Sequence, residues 1–259
     1  MIKVLENLRT IDPKEVEKID KSDKVVGMIL DTRNFTLADY PDLKVISRVG
    51  VGMDNISFPM CEAKGVKVYN TPCPELSQSV AEFTIGQILT FLKRKKKSIY
   101  PMKIGIIGYG RIGQRIEYLL SNMVAHKFYI HDLMWQKTKG FNTKNSLLKN
   151  SDIVIISVSG DDRIIGKKEL KLMKDNAILV NIARENCVDE DAVMDAINMD
   201  HSLGGFISDV NKNYFMYQLE PHYIKNVVIT PHIASDTYEA RKAMEEMAVE
   251  NLKKGLDLV

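Results

Sequence analysis

The segment that most constrains the fold of this chain is KIGIIGYGRIGQRIEYLL, at residues 103–120. A short apolar run leads into three glycines spaced G-x-G-x-x-G, and an amphipathic stretch follows. Glycines in this spacing permit a tight turn, a close approach of backbone to a ligand and tight helix–strand packing, while the helix start offers N–H groups to a phosphate. The pattern predicts a Rossmann-type strand, turn and helix that bind a dinucleotide. The residues predicted to line that site are Gly108, Gly110, Arg111, Ile112 and Gly113.

An acidic residue follows the next predicted strand. Asp132 comes directly after the apolar run at 126–131 and lies 19 residues after Gly113. A carboxylate at about this spacing of 20 residues hydrogen-bonds a ribose 2′-hydroxyl in Rossmann domains, and it would repel a 2′-phosphate. We therefore predict NAD as the cofactor. Two alternatives stay open: a glycine turn that binds no dinucleotide, and an aspartate that only ends a solvated strand.

The chain as a whole alternates short apolar runs with amphipathic segments. The runs lie at 2–5, 25–30, 43–49, 66–70, 103–108, 126–131, 152–158, 177–183, 204–210 and 226–230. Strands that are apolar on both faces and separated by helices are typical of parallel sheets covered by helices on both sides. The sequence therefore predicts an α/β fold.

Two longer helices interrupt this alternation. One is predicted at 79–97, where Ser79 and Glu82 form a capping-box pattern, and it divides the runs into two groups. The other is predicted near the end of the chain, with Ser235 or Asp236 as its cap. Because it follows the second group of runs, this last helix is expected to return to the first unit.

Composition and charge argue against several classes of protein. The chain has 259 residues, of which 45% are hydrophobic and 27% charged, as in ordinary globular proteins. A net charge of +2 predicts neither a nucleic-acid nor a membrane partner, and the basic run at 93–97 is typical of a solvated helix end. No stretch approaches the about 20 apolar residues of a membrane helix, and the N-terminus lacks the apolar core of a signal peptide, which predicts a cytoplasmic protein. Three cysteines far apart predict reduced thiols and no metal site.

Several segments together resemble a known family. They are LKVISRVGVGMDNI (43–56), VYNTPCPELSQSVAEF (68–83), IGIIGYGRIGQ (104–114), SDIVIISV (151–158), LVNIARENCVDEDAV (179–193), GGFISDV (204–210) and NVVITPHIASDT (226–237). In this order they resemble the D-isomer-specific 2-hydroxyacid dehydrogenases, which include phosphoglycerate dehydrogenases and the glycerate (hydroxypyruvate) and glyoxylate reductases.

The resemblance implies two α/β domains. Residues 73–235 would form an NAD-binding Rossmann domain with a doubly wound parallel sheet. Residues 1–72 and 236–259 would form a smaller, flavodoxin-like substrate domain. The implied enzyme interconverts a small 2-oxo acid and a D-2-hydroxy acid, with NAD as cofactor.

The resemblance also assigns roles to individual residues. His232, in the TPH motif, would protonate the carbonyl oxygen of the substrate, and it stands where open α/β sheets place their ligand sites. Arg184 would bind the substrate carboxylate with its planar guanidinium group. The amides of Val51 and Gly52 would hold the same carboxylate, since nests of N–H groups favour anions.

On the cofactor side, the resemblance implies that Asp209 orients the nicotinamide amide and that Ala183 lies beside the cofactor.

The chain departs from the family around the histidine. Family members place a glutamate of a Glu-Pro pair near this histidine, but Tyr214 stands at that position here. The only Glu-Pro pair is Glu220-Pro221, 11 residues after Asp209. Either the loop is rerouted and Glu220 hydrogen-bonds His232, or the histidine works without it. A second departure is Glu185, which replaces the glycine that normally follows the arginine.

These departures leave another hypothesis open, an NAD(H)-binding regulatory protein of the same fold without turnover. The resemblance further implies a homodimer. A segment that the family usually carries between the long helix and the glycine loop, and that commonly contributes to the dimer interface, is missing here.

Overall fold

The computed structural model describes residues 2–4, 8–11, 16–18, 25–31, 35–123, 127–134, 141–199, 202–210 and 225–257. The chain divides into two compact units. The first unit is Met1–Leu76 together with Asp236–Val259, and the second is Ser77–Ser235. Each unit contains one parallel sheet. Among the described residues, no helix is both long and apolar enough to cross a membrane.

The first unit is built on a five-stranded sheet. Its strands are β1 (Ile2–Val4), β2 (Val16–Lys18), β3 (Gly27–Leu30), β4 (Val45–Arg48) and β5 (Lys67–Tyr69). They lie in the order β2-β1-β3-β4-β5, and every pair is parallel. This is the strand order of flavodoxin-like doubly wound sheets, so the predicted fold of the smaller unit is confirmed.

The second unit is built on a six-stranded sheet. Its strands are β6 (Ile104–Ile107), β7 (Phe128–His131), β8 (Ile153–Ile156), β9 (Ala177–Asn181), β10 (Leu203–Ser208) and β11 (Val227–Ile229). All pairs are parallel, in the order β11-β10-β9-β8-β6-β7. The strand order reverses between β6 and β8, which is the switch point where such sheets bind ligands. The predicted Rossmann fold with a doubly wound sheet is confirmed.

Helices cover these sheets. They are α1 (Phe58–Ala63), α2 (Pro74–Arg94), α3 (Arg111–Met123), α4 (Lys144–Asn150), α5 (Lys167–Leu170), α6 (Glu190–Asn198) and α7 (Tyr238–Gly255). The last helix packs on the sheet of the first unit, where a Cβ added to Gly27 would lie 2.8 Å from Leu256 and 2.9 Å from Leu252. Close packing at this glycine therefore joins β3 to α7.

Two helix starts differ from the sequence prediction. α2 begins at Pro74 rather than at residue 79, because proline is compatible with the first turn of a helix. Ser79 therefore lies inside α2 and not at its start, and its hydroxyl donates to the Ala234 carbonyl at 2.8 Å. The cap of α7 is Thr237, which accepts from the Ala240 amide at 3.4 Å, instead of the predicted Ser235 or Asp236.

Both faces of the second sheet are buried. Successive side chains of a strand point to opposite faces. Along β8, Ile153 belongs to the core that contains Ile116 of α3, and Val154 belongs to the core that contains Leu147 of α4. Burial of each such side chain contributes about 1.5–3 kcal/mol, which explains why the strands read as continuous apolar runs.

Candidate functional site

The predicted site residues of the second unit lie along one edge of its sheet. Because the strands are parallel, their carboxyl ends meet at the same edge. The residues that follow these ends are Gly108 after β6, Asp132 after β7, Arg184 after β9, Asp209 after β10 and His232 after β11. In the first unit, Val51 and Gly52 follow the carboxyl end of β4.

The glycine loop has the geometry expected of a dinucleotide-binding turn. Gly108 has φ +92°, and a Cβ there would lie 2.6 Å from the backbone of Ser157 and Val158. A Cβ on Gly113 would lie 2.3 Å from the Gly108 carbonyl, whereas a Cβ on Gly110 would meet no atom of the described residues within 4 Å. The first glycine thus makes the turn, the third allows tight packing, and the second leaves the loop open to a pyrophosphate.

The helix that follows presents its N-terminus at this loop. α3 begins at Arg111, directly after Gly110, and the first-turn N–H groups of a helix have no partner within the helix. These donors and the positive end of the helix dipole favour a phosphate. Arg111 is exposed and Ile112 is half-buried, so both are accessible beside the loop. The residues present therefore fit the pyrophosphate of a dinucleotide.

Asp132 is anchored beside the glycine loop. Its Oδ2 atom accepts from the Tyr109 amide at 2.7 Å, and its Oδ1 atom accepts from the Met134 amide at 2.7 Å. An ionised carboxylate only accepts hydrogen bonds, so Asp132 has the chemistry to accept from a ribose hydroxyl beside the glycine loop. The Tyr109 hydroxyl donates to Glu117, and burial together with this bond raises the pKa of Tyr109.

A buried asparagine fixes the turn that carries Arg184. Asn181 ends β9 and is only 1% exposed. Its Oδ1 atom accepts from the Ala183 amide at 3.1 Å, and its Nδ2 atom donates to the Arg184 carbonyl at 2.9 Å. Asn181 was not predicted as a site residue, although a polar residue at the end of a buried strand is a usable signal.

The segment after Arg184 is tied to the loop after β8. Asn186 donates to Asp161 at 2.6 Å, and the Cys187 thiol donates to the Gly160 carbonyl at 3.4 Å. Cys187 is fully buried, and burial raises the pKa of its thiol, so it is a packing residue and not a thiolate nucleophile. These contacts hold the chain on the carboxyl side of Arg184.

His232 has an unusual backbone conformation. Its φ is +58°, in the left-handed region that few residues other than glycine adopt. The residue is exposed, so its imidazole ring is accessible. Such a conformation persists only where neighbouring contacts hold it.

Asp209 accepts three hydrogen bonds from the residues around His232. Its side chain is 2% exposed. Oδ1 accepts from the Thr230 hydroxyl at 2.6 Å and from the Ile233 amide at 3.0 Å, while Oδ2 accepts from the Ala234 amide at 2.8 Å. The donors lie two residues before His232 and one and two residues after it, so the Asp209 carboxylate fixes the chain on both sides of the histidine.

The loop after β4 turns its carbonyl groups toward protein donors. Gly50 has φ +122°, and its amide donates to the Thr71 hydroxyl at 2.7 Å. The loop carbonyls accept as follows: Val49 from the Arg48 guanidinium, Gly50 from the Thr71 amide at 3.0 Å and Val51 from the Asn70 amide group at 3.1 Å. Within the described residues, the amides of Val51 and Gly52 donate to no protein acceptor. The loop is thus arranged to offer N–H groups to an anion.

The predicted partner of the histidine is not described. Glu220 lies outside the described residues, as do Tyr214 and His222. The pairing of Glu220 with His232 stays a prediction.

Comparisons with known proteins agree with this arrangement. The family model of the D-isomer specific 2-hydroxyacid dehydrogenase NAD binding domain matches residues 75–234. A glyoxylate reductase of Thermococcus gammatolerans is 32% identical over 93% of this chain and 82% of its own length. The glyoxylate/hydroxypyruvate reductase A of Arabidopsis thaliana is 30% identical over 84% of this chain and 76% of its own.

A solved structure extends the likeness to three dimensions. The D-lactate dehydrogenase of Aquifex aeolicus, complexed with NAD and lactic acid, matches with a TM-score of 0.80 and 25% identity, over 93% of this chain and 89% of that one. The chain belongs to the D-isomer specific 2-hydroxyacid dehydrogenase family. It is an NAD-dependent oxidoreductase that interconverts 2-oxo acids and D-2-hydroxy acids, and the predicted family and cofactor are confirmed.

Proposed function

We propose that this enzyme reduces a small 2-oxo acid of the glyoxylate or hydroxypyruvate type with NADH. The observation that carries the proposal is the shared sheet edge, where a dinucleotide-type glycine loop, an arginine and an exposed histidine follow parallel strands. Relatives named glyoxylate reductase support the choice of substrate. Hydroxypyruvate would give the D-hydroxy acid, and glyoxylate would give glycolate.

In the proposed reaction, two groups of the second unit act on the substrate. Bound NADH would supply the hydride that the carbonyl carbon receives. Arg184 binds the substrate carboxylate and draws electron density from the neighbouring carbonyl group. The His232 imidazolium donates its proton to the carbonyl oxygen, and in the reverse direction the neutral ring removes the hydroxyl proton.

The remaining roles follow the same proposal. The Val51 and Gly52 amides are further donors to the substrate carboxylate, supported by their lack of protein acceptors among the described residues. Gly108, Gly110, Arg111, Ile112, Gly113 and Asp132 bind the cofactor, with Ala183 beside it. The second unit is the NAD-binding domain and the first is the substrate domain. We also propose a homodimer that acts in the cytoplasm.

Asp209 has two proposed contributions. The family resemblance assigns it to the nicotinamide amide, and its contacts with the Ile233 and Ala234 amides support a positioning role for His232 as well. A carboxylate can serve both, since the three bonds that it accepts within the described residues occupy three of about four acceptor positions.

The first experiment is a steady-state assay of NADH oxidation with glyoxylate, hydroxypyruvate and phosphohydroxypyruvate. Turnover with the first two, lost in His232→Asn and Arg184→Met variants that still bind NADH, is the expected result. Faster turnover of phosphohydroxypyruvate would overturn the substrate assignment. NADH binding without turnover of any 2-oxo acid would instead favour the regulatory protein.

A pH profile tests the proposed Glu220 partner. A carboxylate beside His232 would hold the ring in its protonated, acid form to higher pH. We expect the pH at which reduction falls to half its maximum to move downward in Glu220→Gln. An unchanged profile would mean that the histidine works without Glu220.

A further inference from the structure

A network of four charged side chains crosses the first unit. Arg48 Nη1 lies 3.5 Å from Asp31 Oδ1, and Arg241 Nη2 lies 3.0 Å from Asp31 Oδ2 and 3.1 Å from Glu245 Oε1. The exposed fractions are 12% for Arg48, 14% for Asp31, 11% for Arg241 and 0% for Glu245. Two positive and two negative charges are thus paired in a largely dry setting, where loss of one partner is costly.

One end of this network holds the segment at 8–11. Glu245 lies on α7, and its Oε1 atom accepts from the Arg9 amide at 3.0 Å. Its Oε2 atom accepts from the Thr10 amide at 2.8 Å and the Thr10 hydroxyl at 2.5 Å. Glu245 therefore joins the C-terminal helix to the N-terminal part of the unit, and it has a structural role.

The other end of the network reaches the loop after β4. Arg48 is the last residue of β4, and its Nη1 atom donates to the Val49 carbonyl. A Cβ added to Gly50 would lie 3.2 Å from the same Nη1 atom, so the guanidinium lies directly against the glycine. The Arg48 carbonyl accepts from the Thr71 hydroxyl at 3.3 Å. Both the side chain and the backbone of Arg48 therefore fix the peptide groups that precede Val51.

The geometry of this end points to a role for Arg48 in substrate binding. We infer that Arg48, held by the Asp31 carboxylate that also pairs with Arg241, is a positioning residue that sets the direction of the Val51 and Gly52 amides. The inference rests on the proposed function, since those amides are assigned there to the substrate carboxylate. In this inference Arg48 acts through its contacts with Val49 and Gly50, and not as a ligand of the substrate.

The test compares two variants that weaken the network in different ways. Arg48→Lys keeps the charge but loses the planar group that contacts Val49 and Gly50 together. Asp31→Asn keeps the shape of the side chain but removes the charge that holds Arg48 and Arg241. We expect each variant to raise the KM of the 2-oxo acid about 10-fold, as supporting residues of a site typically do, while the KM of NADH stays within about 2-fold.

A matched control lies next to Arg241 on α7. Lys242 forms an ion pair with Glu246 in which the side chains are 51% and 60% exposed. Exposed pairs of this kind contribute little, so Lys242→Met should leave both KM values unchanged. Calorimetric titration of oxalate gives a second reading that needs no turnover, and its Kd should rise about 10-fold in Arg48→Lys but not in Lys242→Met.

The outcomes separate the inference from the proposed function. A wild-type enzyme that turns over no 2-oxo acid contradicts the proposed function, whatever the variants do. An active wild type with unchanged substrate KM and oxalate Kd in both variants overturns the role of Arg48 alone. An equal rise in the KM of NADH would also overturn the role of Arg48, because a change in both KM values would indicate that the whole protein is destabilised. If Arg48→Lys does not fold, the substrate KM and the oxalate Kd of Asp31→Asn decide whether Arg48 has this role.

Discussion

At the scale of single residues, the backbone around His232 depends on one buried carboxylate. The three bonds that Asp209 accepts come from residues 21 to 25 positions along the chain, on both sides of the histidine. A neutral amide of the same shape cannot reproduce them, since its NH2 group would face backbone donors. Asp209 thus links the strand β10 to the conformation of the proposed acid.

Replacement of Asp209 by asparagine should reduce both activity and stability. We expect kcat to fall about 10- to 100-fold, because the backbone that carries His232 is no longer held in place. The free energy of unfolding should fall by about 1–3 kcal/mol, since a buried donor loses its acceptor. Steady-state kinetics and urea denaturation measure these effects. Asp175→Asn, at an exposed position of the same unit, is the control. A rise in the KM of NADH with unchanged denaturation would assign Asp209 to the cofactor alone.

Asn181 supports the turn that carries Arg184, as Asp209 supports the backbone around His232. Asn181→Leu keeps the branched arrangement of the four heavy side-chain atoms but removes both hydrogen bonds to the 183–184 backbone. We expect the KM of the 2-oxo acid to rise about 10-fold, with a smaller effect on NADH. Asn150→Ala serves as a control, since its amide donates to a carbonyl within α4. Unchanged kinetics in a folded Asn181→Leu variant would show that Arg184 is positioned without it.

The roles predicted for His232 and Arg184 came from the motifs that resemble the family. Imidazole and guanidinium groups have the chemistry of an acid and an anion ligand, but a histidine after a strand does not by itself identify a site. Ser79 and Asn181 were not predicted as supports, because their function is a hydrogen bond to a backbone atom. For Ser79 that atom lies 155 residues away, and no local pattern marks it.

At the scale of elements, the apolar runs predicted every strand that the structure describes except β2. That strand has the sequence VEK, which is too short and too polar to stand out. The start of α2 was wrong, because a capping-box pattern at Ser79 carried more weight than Pro74. Capping patterns identify only local preference, and tertiary contacts decide where a long helix begins.

One close contact between elements can be tested directly. A Cβ added to Gly205 of β10 would lie 2.1 Å from the Phe91 ring of α2. Gly205→Ala should therefore lower the free energy of unfolding by about 1–3 kcal/mol, measured by urea denaturation. Phe91→Leu makes room, so the double variant should be more stable than the sum of the two single changes predicts. Additive effects would show that the sheet accommodates the methyl group by itself.

The same helix offers a control. Gly86 of α2 is exposed, and a Cβ there would meet nothing within 4 Å. Gly86→Ala should raise stability by about 0.5–1 kcal/mol, because alanine is the better helix former. Opposite signs at the two glycines would show that packing, and not glycine loss as such, sets the cost at Gly205.

At the scale of the whole molecule, the two units are expected to open separately. Each has its own sheet and its own hydrophobic core, so each can unfold as a cooperative unit. The cysteines report on both, since Cys61 lies in the first unit and Cys187 in the second. Both are buried, and burial raises the pKa of both thiols. At pH 7.5 each thiol is therefore protonated and reacts only after its unit opens.

Cofactor binding should consequently protect the two thiols to different degrees. NADH at 100 times its Kd stabilises the unit that binds it by about 2.7 kcal/mol, which corresponds to a roughly 100-fold slower opening. We expect labelling of Cys187 by a disulfide reagent to slow by up to this factor and labelling of Cys61 to change little, as read by peptide mass spectrometry. Raising the pH should speed both reactions, because the thiolate fraction grows. Equal protection of Cys61 would show that the two units open together. NADH titrations of variants in the glycine loop at 108–113 would then be needed to assign the cofactor to the second unit.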